Sequence, residues 1–197
     1  MSSTIINNVL DHCAPKSTFA AVYFYFDFND VEKQHPEKMI RSLVMQLSAQ
    51  SKSSTKLLKS LFSSCLDGER QPDPDTLLRT LRQMVDQFDE VFIILDALDE
   101  CMKRELREVL LENIMEIAGW KLGKLHILAT SRSEIDIEEH LSHFVNDQEK
   151  VRIQSARIND DIRAYIREKL QNDHRLKRWK QASDEIEMTL MSKANEM

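Results

Sequence analysis

The run Val91-Phe92-Ile93-Ile94-Leu95-Asp96-Ala97-Leu98-Asp99-Glu100 decides the fold of this 197-residue chain. Its first five residues are all apolar and rich in β-branched and aromatic side chains, the pattern of a strand buried on both faces. Such a strand belongs to a parallel sheet covered by helices on either side. Asp96 ends the run, and Asp99 and Glu100 follow within one turn. On spacing alone, two uses for these acids stay open. One carboxylate can hold Mg²⁺ while a second orients or deprotonates a water. Alternatively, the acids cap the following helix and stabilise its N-terminus by ~0.3–1 kcal/mol each.

The flanking segments repeat the pattern. Phe19-Ala20-Ala21-Val22-Tyr23-Phe24-Tyr25-Phe26 predicts an earlier buried strand, and Leu125-His126-Ile127-Leu128-Ala129-Thr130 a later one. Val151-Arg152-Ile153 reads as a fourth, shorter strand. Between the strands, apolar residues recur at helical spacing. Ile5, Ile6, Val9 and Leu10 precede the first strand, and Pro15 ends their helix. Met39, Ile40, Leu43, Val44 and Leu47 follow Pro36, which suits a first helical turn. Leu57, Leu58, Leu61 and Phe62 mark the next helix, and Leu77, Leu78, Leu81, Met84, Val85 and Phe88 another, capped by Asp73 or Asp75. A further helix is expected from about Lys103 to Trp120, and a short one near Ile135–Phe144. A long one, capped by Asn159 or Asp160, carries Ile162, Tyr165, Ile166 and Leu170. Strands separated by helices require crossover connections. The fold class is therefore α/β, a mostly parallel sheet with helices on both faces, followed by a helical C-terminal tail.

Ligands of such sheets sit beyond the carboxyl ends of the strands. There the later strand offers Thr130, Ser131 and Arg132 beside the Asp96 tip. Hydroxyls and a guanidinium suit a polyphosphate, because guanidinium matches phosphate oxygens bidentately. The same residues could instead form a polar loop capping the helix at Ile135. Their occurrence on the strand after Asp96 favours the first use.

Composition narrows the classes. Only three glycines occur, Gly68, Gly119 and Gly123, where about 7% usage would supply about fourteen. No GxGxxG or GxxxxGK[ST] phosphate loop can be written with them. The nearest approach, Gly119 to Lys124, is one residue short, and Leu125 stands where a Ser or Thr is needed. A net charge of -6 argues against bulk electrostatic binding of nucleic acid. The longest apolar run, Phe19–Phe26, falls well short of the about 20 residues of a membrane span. Cys13, Cys65 and Cys101 are far apart and lack CxxC spacing, which fits a reducing, cytoplasmic setting. His140 and His143 lie beside Glu138 and Glu139 without forming HExxH, so a zinc site is not indicated.

Phe92-Ile93-Ile94-Leu95-Asp96-Ala97-Leu98-Asp99-Glu100-Cys101 resembles the Walker B motif of NACHT-type STAND nucleoside triphosphatases. The similarity is closest to the nephrocystin-3-like N-terminal domains of fungal NLR-like proteins. Leu128-Ala129-Thr130-Ser131-Arg132 resembles their sensor 1 segment. Tyr25-Phe26-Asp27-Phe28, Met39–Leu47 and Ile158–Ile166 fit the same family in order.

The resemblance implies a signalling switch driven by ATP or GTP with Mg²⁺. Asp96 would hold the Mg²⁺, and Asp99 or Glu100 would position the hydrolytic water. Thr130, Ser131 and Arg132 would bind nucleotide, with Arg132 sensing the γ-phosphate. It also implies a strand and phosphate loop just before Ser2, so the chain is expected to be an internal slice with little autonomous nucleotide binding. The expected domains are a partial α/β core over 1–158 and a helical extension over 159–197. The resemblance further places the missing strand between the Walker B and sensor 1 strands. Without it, either those two pair directly or a gap remains. Expected partners are other copies or other protein domains of the parent, with neither membrane nor nucleic acid. Two other functions stay open: a non-enzymatic oligomerisation module, and a Mg²⁺-dependent phosphotransfer enzyme using Asp96, Asp99 and Glu100.

Overall fold

A computed structural model describes residues 2–151, 155–173, 176, 179 and 182–194. Helix α1 (Ser2–Cys13) leads by a short turn into strand β1 (Phe19–Tyr25). Helices α2 (Pro36–Gln50), α3 (Lys52–Ser64) and α4 (Pro74–Val85) follow, then strand β2 (Glu90–Asp96). Helix α5 (Arg104–Gly119) crosses to strand β3 (Leu125–Ala129), after which comes the short α6 (Ile135–Leu141). Local chemistry sets several boundaries. Ser51 accepts a hydrogen bond from Ser53 N–H at the start of α3, and Asp73 accepts one from Thr76 N–H at the start of α4. Pro36 and Pro74 occupy first-turn positions that need no N–H donor.

The three strands form one parallel sheet in the order β1-β2-β3. This is the α/β architecture read from the sequence. Val22 pairs with Ile93, and Ile93 with Ile127, so β2 is central. Of the two expected outcomes, direct pairing or a gap, the structure shows direct pairing: Val91 to Leu95 lie opposite Leu125 to Ala129. Hydrogen bonds decide this adjacency, because each central-strand amide is satisfied by its immediate neighbour.

One face of the sheet is thoroughly covered. Ala20, Val22, Phe24, Val91, Ile93 and Leu95 join Met39, Leu43, Leu81, Leu110 and Ile114 in a single core. The opposite face carries α1, whose His12 lies 6.0 Å from the Phe19 ring and 5.9 Å from the Phe92 ring. That cover stops short of β3, where Leu128 remains 40% exposed and His126 is exposed.

The chain divides into two compact units, 1–145 and 146–197. In the second, helices α7 (Ser155–Asn172) and α8 (Ser183–Ala194) bury Ile166, Leu170 and Met191 together. Arg167 Nε donates to Glu187 Oε2 at 2.8 Å, holding that carboxyl below the usual range. The helix begins upstream of Asn159 and Asp160, which corrects their assignment as caps. Of the fourth strand read at Val151–Ile153, Arg152 and Ile153 lie outside the described residues. No described helix is long and apolar enough to cross a membrane.

Candidate functional site

Parallel strands bring their carboxyl ends to one side of the sheet, and the polar residues singled out in the sequence gather there. Asp96 is the last residue of β2, and Thr130 directly follows β3. Thr130 Oγ1 donates to Asp96 Oδ1 at 2.5 Å and accepts from Ala97 N–H at 3.0 Å. Its backbone is tied just as closely: Thr130 N–H donates to Leu95 C=O and Leu98 N–H donates to Thr130 C=O, both at 2.9 Å. One threonine thus locks both strand tips and aims the Asp96 carboxylate.

Ala97 adopts the left-handed conformation, φ 60 and ψ 56. For a residue with a Cβ this costs roughly 1 kcal/mol. The two hydrogen bonds around it to Thr130 hold it there. The turn lets the chain leave β2 sharply, so that Leu98 is buried while Asp99 and Glu100 stay at the rim.

Asp99 faces β3's exit. Its Oδ1 accepts from Arg132 N–H at 3.1 Å, and its Oδ2 lies 3.5 Å from Arg132 Nε. The carboxylate is only 11% exposed, whereas the Arg132 side chain is 75% exposed. Asp99 is therefore a fixed anchor, and the guanidinium beyond it is accessible to a ligand. Glu100 turns the other way. Its Oε2 accepts from Phe28 N–H at 2.9 Å, holding the loop after β1 rather than meeting Asp99. Ser131 Oγ donates to the neighbouring Arg132 C=O at 2.7 Å.

The structure thus joins Asp96 with Thr130 and Asp99 with Arg132, and directs Glu100 toward β1. Arg107, which the sequence analysis passed over, supports this arrangement. Its Nη2 donates to Asp99 C=O at 3.2 Å and its Nε to Cys101 C=O at 2.9 Å. Its Nη1 meets both Asp136 oxygens at 3.2 and 3.3 Å. It is one of two arginines in the first turn of α5, beside Arg104 and Glu105, so only its 13% exposure reveals it. Tyr25, paired with Asp96 across the sheet, was also missed. Burial, then Tyr23, then the Asp96 charge raise its phenol above the ordinary value.

Cys101 is buried, and its Sγ donates to Gln34 C=O at 3.2 Å. Desolvation raises its thiol above the usual range despite the nearby Arg107 charge. It is a packed structural thiol. Among the described residues, no group of three or more His, Cys, Asp and Glu side chains is arranged to hold a metal. Asp96 with Thr130 is instead a partial set of hard oxygen donors. Such a set suits Mg²⁺, which takes one or two carboxylates, phosphate oxygens and waters.

The polar site at the strand tips defines a parallel α/β domain of the general kind that binds ligands at its carboxyl edge. The family model described as nephrocystin 3, N-terminal, matches residues 1–132. The chain belongs to that family. No curated protein and no solved structure matches the chain.

Proposed function

We propose that this chain is the Mg²⁺- and γ-phosphate-facing part of a NACHT-type, nucleotide-dependent signalling switch. The observation that carries this is the convergence of Asp96 and Asp99 with Thr130 and Arg132, from segments more than thirty residues apart, at one end of the sheet. Asp96 holds Mg²⁺, Arg132 meets the terminal phosphate, and Asp99 fixes the backbone of Arg132. The metal supplies charge neutralisation for phosphate oxygens when bound. Glu100 is placed to couple the site to the loop after β1, because its carboxylate holds Phe28 N–H. Water positioning falls to Asp99 or Glu100.

Helix α1 supports the same reading. His12, near its end, lies against the starts of β1 and β2. A 12-residue helix of about 18 Å running back along a seven-residue strand of about 23 Å carries its N-terminus toward the end of the sheet where the strand tips lie. Helix N-termini favour phosphate. The chain contains no GxxxxGK[ST], so its own affinity for nucleotide is expected to be weak. The three free cysteines agree with the cytoplasm as its setting.

The test is an NMR titration with MgATP and MgGTP into the millimolar range. The amides of Asp96, Thr130 and Arg132 are expected to shift only when Mg²⁺ is present, and Asp96→Asn is expected to remove the response. Titration without any shift at these amides would sink the proposal. Arg132→Ala is expected to weaken the nucleotide response while leaving the fold's amide spectrum intact. A second reading, a non-enzymatic interaction module, is favoured by the exposed side chains of His126, Leu128 and Ala129 on β3.

A further inference from the structure

Helix α3 does not end as helices ordinarily do. Its cap residue Cys65 is followed by three residues in the left-handed region, Leu66 at φ 53, Asp67 at φ 51 and Gly68 at φ 90. One such residue, usually glycine, suffices to end a helix. For Leu66 the conformation crowds Cβ against the following carbonyl oxygen, a strain that persists only where the surroundings impose it. Here Gly68 N–H and Arg70 N–H both donate to Cys65 C=O, at 3.2 and 3.0 Å, and Glu69 N–H donates to Leu66 C=O at 3.1 Å. The coil packs so closely on Phe62 that a Cβ at Gly68 would stand 2.5 Å from the ring's Cε2.

This coil is one wall of a cleft of about 320 Å³. Val44, Met45, Leu58, Leu61, Phe62 and Leu77 supply its apolar floor. Met45 and Phe62 are 56% and 52% exposed, so part of that floor faces outward rather than into the core. The charged residues lining the cleft are both arginines, Arg41 and Arg70. Arg41 Nε donates to Glu37 Oε1 at 3.0 Å, so that arginine is neutralised by its own helix. The Arg70 side chain meets no carboxylate or other acceptor among the described residues. Asp67 and Glu69 flank it in sequence but do not line the cleft. All the walls come from residues 41–77, within the first compact unit, and include none of Asp96, Asp99, Thr130 and Arg132.

We propose that this cleft binds a small amphipathic monoanion, an apolar chain or ring ending in one carboxylate. Small-molecule sites are clefts of about 300–1,000 Å³, mostly apolar, with a few placed polar groups that fix orientation. The apolar body covers Met45 and Phe62. The carboxylate meets the Arg70 guanidinium, whose donor fork matches two carboxylate oxygens. The coil at Leu66–Gly68 is what carries Arg70 to the rim of the apolar floor, which a plain helix end would not do. With Arg41 satisfied by Glu37, the lining holds one uncompensated positive charge. That balance selects a monoanion over a doubly charged phosphate, whose second charge would lie desolvated against the floor. Binding here is separate from any nucleotide at the strand tips.

The probe is decanoate, titrated below its micelle concentration into the full chain, with decanamide as its uncharged counterpart. Cys65 lines the cleft and is half-buried, whereas Cys13 and Cys101 are buried, so the reaction of Cys65 with N-ethylmaleimide reports occupancy. Saturating decanoate is expected to slow that reaction and to shift the methyl resonances of Met45, Leu58 and Leu61. Decanamide is expected to bind roughly tenfold more weakly. Arg70→Gln, at an exposed position, is expected to keep the fold by circular dichroism and to lower decanoate to the affinity of decanamide. Met45→Glu is expected to abolish the protection of Cys65, and Val109→Glu, at an exposed position on α5, to leave it intact. Four results overturn the proposal: a Cys65 that does not react in the free chain, no protection by millimolar decanoate, equal affinities for decanoate and decanamide, or methyl shifts as large at Val109 as in the cleft.

Discussion

The β1 and β3 edges flank the same central strand and have similar apolar sequences, yet they end in opposite ways. At β1, the outward groups of Ala21 and Tyr23 each find a donor and an acceptor on a glutamine of α2. At β3, Ile127 and Ala129 turn equivalent groups away from the sheet, and no described side chain meets them there. Strand composition alone therefore does not decide which edge of a sheet is closed. What decides it is whether a helix crosses the edge at a height where long amide side chains reach the backbone.

The largest expected effect comes from reopening the closed edge. Gln46→Ala/Gln50→Ala leaves up to four backbone groups of Ala21 and Tyr23 without partners, at ~1–3 kcal/mol each and partly rescued by water. A loss of about 3–6 kcal/mol by urea denaturation is expected. Unchanged stability would show that the glutamines are ornaments of the edge and would break the comparison.

Next comes the centre against β3. Ile93, 1% exposed on β2, lies in the main core, and Ile93→Ala is expected to cost about 2–5 kcal/mol. Leu128→Ala, at 40% exposure, is expected to cost under about 1 kcal/mol. Similar losses at both positions would mean that Leu128 is covered in solution.

A smaller gain is expected at the tip of β2. Ala97 is held at φ 60, a conformation glycine adopts freely, so Ala97→Gly is expected to raise stability by about 0.5–1 kcal/mol. A loss instead would mean that the methyl contributes packing that outweighs the strain.

The smallest effect concerns α4, which packs on the glutamine-bearing helix α2. The Asp73 carboxyl lies below its ordinary value because Thr76 hydroxyl and N–H both donate to it. A lowered folded value means that the cap stabilises above the ordinary Asp range, about pH 4, and is lost as pH falls through and below it. Asp73→Asn keeps the cap and removes the proton. It is expected to flatten that part of the acid limb in a melting-temperature profile. An identical limb would assign the acid sensitivity elsewhere.

Much of this was legible in the sequence. Val91–Leu95 and Phe19–Phe26 announced buried parallel strands, because a sheet covered on both faces tolerates unbroken apolar runs. Leu125–Thr130 announced a third strand, whose residues are half-buried or exposed. Pro36, Pro74 and Asp73 announced helix starts through chemistry confined to one turn. Asp96, Thr130 and Arg132 were legible as tip residues because a strand's last polar residue must emerge at the sheet's end. Their pairing was less so. Nothing in the sequence showed that Asp99 accepts from Arg132 N–H or that Glu100 accepts from Phe28 N–H. Arg107 carried no signal at all, because its importance comes from three separate segments meeting its guanidinium.

By itself, then, the sequence determined the α/β class, the helix and strand identities, and which residues stand at the strand tips. Those features follow from periodicity, capping and solvation, which act within a few residues. Tertiary structure alone decided that β2 and β3 are neighbours, that Gln46 and Gln50 close β1, and that no described side chain closes β3. Strand order and edge closure depend on which backbone groups meet across distant segments. Every strand carries identical backbone donors and acceptors, so their partners cannot be read from side-chain sequence.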